Sequence, residues 1–391
     1  MKTGKLNGIV FTAFLFILLI LPFAFGGFVG IYAYSTVLLV YFLFFFSTSK
    51  VYRTDFALYS IILITLIAIL SAYFTVIFTS NVWYLREFIR LIFIIVFIFT
   101  IRETVADETV FNLMPLQLSL IVMIDWFLFN ILSEYPISKW MMREIAMNGM
   151  HDYLENYWRH IGIAGNPNFS AFIYSIAIIF NLGYLKRHKV RFDLLSIFIQ
   201  ISLLLSVYLL FISYSRTSLI ALVITLFISN FRIRHTSYYI LLLMFLPLIF
   251  AIDIEYIVSL KNRFSSFSAL THRVDLWKEL FMYVDIRAIL IGKEMYVSVV
   301  DNDYFYFLYR YGLIAGGMIL AMPWIIYNRC RDGKWKELLF PILLFYYISA
   351  MVGGPLAHPK TYVFLLFILA IGQNKQIGKL NVQKNSSCST T

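Results

Sequence analysis

Charge is what this chain is short of. Only 14% of its 391 residues are Asp, Glu, Lys or Arg, against 61% hydrophobic and 19% aromatic residues, which is too apolar for a soluble domain of this length. Cysteine is almost absent: Cys330 and Cys388 both fall in segments expected on the cytoplasmic side, where disulfides are rare, so no disulfide framework is expected. No internal repeat, low-complexity tract or appended soluble domain stands out. The basic residues give a net charge of +11, yet they are scattered as loop flanks and not gathered beside base-stacking aromatics, which argues against a nucleic-acid partner.

Long apolar runs fill the chain instead. A bilayer core about 30 Å thick needs roughly 20 apolar residues per helical span, and runs of that length recur between short charged interruptions. About twelve spans are expected, near 8–26, 28–47, 56–79, 88–101, 114–133, 166–184, 194–213, 217–231, 237–253, 304–327, 338–354 and 361–373. The expected fold class is all-α: a polytopic membrane protein in which residues 1–391 form a single integral membrane domain, with a large outward loop between helices 9 and 10.

Orientation follows from the short loops rich in Lys and Arg, which stay in the cytoplasm. Lys50 with Arg53, Lys186-Arg187-His188-Lys189 with Arg191, Arg232 with Arg234, and 329–336 all fall on one side if the spans alternate. Lys2 and Lys5 at the start, with Lys375, Lys379 and Lys384 near the end, put both termini on that side too. The opening segment resembles a signal peptide, but its apolar run feeds directly into a second one, so an uncleaved first span is expected.

The opposite face then receives residues 134–165, the long segment 254–303 and the turn 353–360. In the first of these, Trp140, Ile145, Tyr153, Tyr157 and Trp158 recur at helical spacing among charged residues, as in a helix lying on the membrane surface and broken at Gly149. Loops 134–165 and 254–303 are expected to form the cover of an active site.

Arg216 stands in Ser213-Tyr214-Ser215-Arg216-Thr217-Ser218, between apolar runs. An arginine at the bilayer centre costs about 2.5 to 3.5 kcal/mol, so Arg216 either faces a wet cavity or a partner, or snorkels to the surface at a turn. Arg159 and Arg273 face outward by the same topology, and a planar guanidinium grips phosphate oxygens in pairs. Each of them, taken singly, also reads as a solvated loop charge. Asn166-Pro167 is a common way to start a helix, the Asn as cap and the Pro in the first turn. Asp301, Asn302 and Asp303 precede an apolar helix, where capping and the helix dipole account for one or two of them. If that helix has already started, the two aspartates diverge by about 200°, and no His or Cys cluster supports a metal.

The order of these pieces resembles the bacterial O-antigen polymerase and ligase superfamily. The matching residues are Arg159 with Gly165-Asn166-Pro167-Asn168, the turn Ser215-Arg216-Thr217-Ser218, Arg273 with Trp277, and Asn302 followed by Tyr304 and Gly312. They cover roughly residues 155–330, and the first five spans match in hydropathy alone. The resemblance implies about twelve spans with a large periplasmic loop, and a multi-pass location in the bacterial inner membrane with both termini cytoplasmic. It implies a metal-independent and cofactor-independent glycosyltransferase acting on undecaprenyl-diphosphate-linked glycans, with a chain-length regulator and a flippase as partners beside the bilayer itself.

The ligase branch carries a His before the Asn, and this chain has Asp301 there. The resemblance therefore implies the polymerase branch, joining lipid-linked repeat units into O antigen or capsular polysaccharide, and leaves the general base open. In that reading Arg216 and Arg273, helped by Arg159, neutralise the diphosphate leaving group. Asp301 or Asp303 orients or deprotonates the acceptor hydroxyl, with Asn166, Asn302 and Tyr304 in support. Two alternatives stand beside it: a ligase transferring finished polymer to lipid A core, and a flippase or other transporter. Transporters usually show two related halves and charges at mid-membrane, whereas the polar residues here are expected to concentrate outside.

Overall fold

Helix is the regular structure of this protein. In the computed structural model 87% of the described residues are helical and none is in a strand, which makes the described part all-α. The structure describes residues 107–132, 135–136, 160–164, 166–188, 193–229, 274–275, 277–278, 286–292, 302–328, 330, 333–352, 356 and 359–371, with isolated Ile9, Ala13 and Phe16. The expected spans at 28–47, 56–79, 88–101 and 237–253 lie outside these residues, as do the surface helix expected around 140–158 and most of the segment 254–303.

The helices are α1 (Asp107–Trp126, continued by a π-helical turn Phe127–Ile131), α2 (Pro167–His188), α3 (Leu194–Ile212), α4 (Arg216–Ile228), α5 (Ile286–Ile291), α6 (Asp303–Asn328), α7 (Gly333–Ser349) and α8 (Pro359–Ile371). Each expected span that falls on described residues past position 107 coincides with one of them. Among the described residues four helices are long and apolar enough to cross a membrane, 112–131, α2, α3 and α6, and α4 is a shorter apolar helix. These helices support a membrane protein.

The chain divides into two compact units, one containing Met114–Tyr283 and the other Val284–Thr391, each with a share of the residues before 114. In the first unit α2 is central, buried on every turn from Ser170 to Leu182. Its start is set by Asn166, whose Oδ1 accepts the Asn168 N–H at 2.8 Å, and by Pro167, which needs no donor there. Its end carries Lys186, Arg187 and His188, which complement the carbonyl end of the helix. Asp193 then caps α3 by accepting the Ser196 N–H at 2.7 Å.

Polar and apolar residues are inverted relative to a water-soluble bundle. Ser119, Ser175, Asn181, Ser202 and Ser206 are essentially buried, while Ile197, Ile201 and Leu204 on α3, and Ile220, Val223, Ile224 and Phe227 on α4, are exposed at helical spacing. Lipid tails solvate such a stripe, and between helices small polar residues allow close approach and hydrogen bonding. One chain of such bonds runs through the unit: Ser119 Oγ donates to Asn181 Oδ1 at 3.3 Å, and Asn181 Nδ2 donates to Ser202 Oγ at 3.4 Å, linking α1, α2 and α3.

In the second unit α6 departs from the single expected span at 304–327. Gly312 breaks it with φ 75° and ψ 175°, so Asp303–Tyr311 and the part after Gly312 are separate helical segments. A Cβ on Gly316 would fall 2.8 Å from the Phe307 carbonyl carbon, whereas in a straight helix these positions would be about 13 Å apart along the axis. The two segments therefore fold against each other. Gly292, at φ 93°, approaches the break in the same way, with a built Cβ 2.7 Å from the Arg310 carbonyl carbon. Sequence hydropathy averages over such a break because glycine scarcely changes it.

Tyrosine hydroxyls tie this unit together through helix carbonyls. Pro323 cannot donate to the Ile319 carbonyl four residues before it, and Tyr362 of α8 supplies the missing donor at 2.7 Å. Tyr346 of α7 donates to Thr361 O at 2.8 Å, and Tyr347 of α7 to Leu320 O.

Candidate functional site

Three polar stretches of the first unit meet at one end of its helices. α1 ends there, α2 begins there, α3 ends there and α4 begins there, because α2 and α3 pair as a hairpin with Lys186, Arg187 and His188 at the opposite end. The His160 N–H donates to the Ile212 carbonyl at 3.1 Å, which fastens the segment preceding α2 to the end of α3. Asn166 and Arg216 are thus brought to the same end of one unit. Arg159 and Arg273 belong to the same unit by chain position but lie outside the described residues.

Arg216 is the first residue of α4 and half-buried. Tyr214, at φ 53°, turns the chain into that start, and the Ser213 hydroxyl holds the turn by donating to Leu210 O at 2.7 Å. Ser215 occupies the cap position, yet its side chain makes no cap hydrogen bond and its hydroxyl donates to Ser218 Oγ at 3.2 Å. A cation at a helix N-terminus opposes the dipole, which disfavours it by about 0.3 to 1 kcal/mol. A guanidinium beside a helix start that Ser215 does not cap also suits an anion.

Beneath this turn lies a cluster that sequence reasoning did not single out. Asp125 on α1 is 1% exposed and accepts the Tyr174 hydroxyl of α2 at its Oδ2. His160 Nε2 lies 3.0 Å from the Tyr174 oxygen and 3.4 Å from Asp125 Oδ1, with its side chain 7% exposed. Phe129, in the π-helical turn that follows α1, packs edge-on against the imidazole at 5.7 Å. Gly162 makes room for the group: at φ 58°, a Cβ there would come within 2.7 Å of the Tyr174 hydroxyl, the Ser170 hydroxyl and Asp125 Oδ2. The sequence did hold one signal for this cluster. Asp125 is the lone acid in the apolar run 114–133, and an ionisable residue inside a span is a functional candidate by default.

The residues around 302–304 sit in the second unit and act as fasteners. Asn302 caps α6 by accepting the Phe305 N–H at 3.1 Å, and its Nδ2 donates to Met351 O at 3.0 Å. Asp303 is fully buried: its N–H donates to Ala350 O at 2.9 Å, and its Oδ2 accepts the Leu356 N–H at 2.7 Å. The Tyr304 hydroxyl donates to Tyr347 O at 2.8 Å. The bonds to Ala350, Met351 and Leu356 hold the segment after α7 against the start of α6, so Asp303 takes part in an anchor through its N–H and Oδ2. Asp301, its expected partner in catalysis, lies outside the described residues.

Anchoring has a testable signature. Asp303→Asn keeps an oxygen to accept the Leu356 N–H and should retain activity and most of its stability. Asp303→Ala leaves that N–H without its acceptor, and should lose about 1 to 3 kcal/mol in thermal melts of the detergent-solubilised protein. A catalytic carboxylate would instead make the Asn variant as inactive as the Ala variant.

No protein-family model and no curated protein matches the sequence.

Proposed function

We propose that this chain is a lipid-linked repeat-unit polymerase: a metal-independent glycosyltransferase that joins undecaprenyl-diphosphate-linked oligosaccharides into O antigen or capsular polysaccharide. It works at the periplasmic face of the bacterial inner membrane, with about twelve spans and both termini in the cytoplasm. The observation that carries the reading is Arg216, half-buried at the first turn of α4, on the end of the unit opposite Lys186, Arg187 and His188. A guanidinium beside a helix start that Ser215 does not cap suits an anionic substrate. A diphosphate at the membrane surface is such an anion, and its departure from the donor sugar is the step that positive charge assists most. Arg159 and Arg273 supply further charge in this scheme, and the chain-length regulator and flippase are its partners.

One observation favours a second reading. Asp125 and His160 are ionisable groups buried among apolar helices, an arrangement also found on proton or substrate pathways of transporters.

Deleting the gene separates these readings. Loss of a polymerase leaves surface polysaccharide with at most one repeat unit per carrier-derived chain. Loss of a ligase strands full-length polymer on the carrier lipid, and loss of a transporter traps single repeat units on the cytoplasmic side. Long surface chains unchanged in the deletion strain would sink all three.

A further inference from the structure

The polymerase reading needs a base for the acceptor hydroxyl, and the unit that contains the arginines holds a candidate. We propose that His160 is that base, with Asp125 and Tyr174 as its positioning residues; this rests on the polymerase reading.

The network itself assigns the proton on the imidazole. The Tyr174 hydroxyl has one hydrogen, donated to Asp125 Oδ2, so the 3.0 Å contact between the Tyr174 oxygen and His160 Nε2 requires a proton on Nε2. Asp125 Oδ1 lies 3.4 Å from Nε2 without a hydrogen bond, close enough for charge pairing. Nδ1 is then the acceptor nitrogen, and among the described residues nothing hydrogen-bonds it. This follows the logic of a nucleophile–base–carboxylate relay with the two ring nitrogens exchanged and Tyr174 between imidazole and acid: one nitrogen is held through Tyr174, and the other is left to take a proton.

A purely structural role does not require these residue types. The same unit joins α1, α2 and α3 through Ser119, Asn181 and Ser202, neutral groups that bury no charge. Burying a carboxylate beside an imidazole within apolar helices is the costlier choice, and function is the usual reason for it. The location agrees. His160 is bonded through its own N–H to Ile212, and from there to Arg216 the chain reaches at most about 14 Å even when fully extended. Among the described residues, the titratable groups facing His160 are Asp125 on α1 and Tyr174 on α2, while the end of α3 contributes the Ile212 carbonyl.

In the reaction the acceptor hydroxyl oxygen forms a bond to the anomeric carbon of the donor sugar. The bond from that carbon to the diphosphate oxygen breaks, and its electron pair leaves with the lipid diphosphate. The hydroxyl proton passes to His160 Nδ1, and the imidazolium is paired with the Asp125 carboxylate until water removes the proton.

The test uses membranes carrying the full-length protein, supplied with the lipid-linked glycan extracted from the deletion strain. His160→Gln should lower the polymerisation rate by about 10²- to 10⁴-fold at normal protein level. A His160→Gln rate within about threefold of wild type overturns the base and leaves the polymerase reading standing. Wild-type membranes that build no polymer from this glycan overturn the polymerase reading and the base with it. If His160→Gln does not reach the membrane, Tyr174→Phe and Asp125→Asn decide: each should lower kcat with KM unchanged. An unchanged kcat in both overturns the proposal.

Discussion

Arg216→Ala should abolish visible chain elongation without harming the protein. A guanidinium aimed at a departing diphosphate contributes as other preorganised charge donors do, and removing one costs about 10² to 10³ in rate, or about 3 to 4 kcal/mol. The helix dipole disfavours a cation at the start of α4 by about 0.3 to 1 kcal/mol, so the dipole itself does not oppose the substitution. Arg216→Lys retains the charge but loses the planar fork, and should fall between Ala and wild type. Polymer length on gels, with membrane protein level and melting temperature measured on the same preparations, checks all of this. A normal polysaccharide ladder from Arg216→Ala would remove the diphosphate role. A collapsed protein level would instead show that the arginine is structural.

Gly162→Ala should be severely damaging to the first unit. Its backbone, at φ 58°, lies where an alanine costs about 1 to 2 kcal/mol. The added carbon also meets three polar oxygens at once, from Tyr174, Ser170 and Asp125. Those atoms cannot retreat freely. Ser170 Oγ donates to Ile161 O at 2.5 Å, and the other two are bonded to each other and to His160. Forcing the buried Asp125–His160 pair apart leaves charge without compensation, for which about 3 to 5 kcal/mol is typical. The expected result is a protein that either fails to accumulate in the membrane or melts many degrees lower. A melting temperature within a few degrees of wild type would mean that the cluster tolerates displacement. Gly317, where a Cβ meets nothing within 4 Å, is the matched control on a helix.

Much of this protein is readable along the chain. The apolar runs set the helical class because a bilayer leaves the backbone no other open-ended way to satisfy its hydrogen bonds. Asn166 before Pro167, Asp193 before Leu194 and Asn302 before Asp303 mark helix starts, since capping depends on residues within a turn of each other. The basic turn at 186–191 separates the two ends of the α2–α3 hairpin on the same local grounds.

Tertiary structure supplied the rest. Asp125, His160 and Tyr174 come from separate parts of the chain, and no local pattern says which face of α1 meets α2. The sequence left Asp303 open between helix capping and acid–base work, and packing gives its Oδ2 the Leu356 N–H from beyond the end of α7. Gly312 lies within the expected span 304–327, and the break there appears in the close approach of Gly316 and Gly292 to the backbone around it. Hydropathy and capping are short-range, so they settle which segments are helices and where they begin. The partners of buried polar groups are chosen by long-range packing, and in this protein those partners separate an anchoring carboxylate from the candidate base.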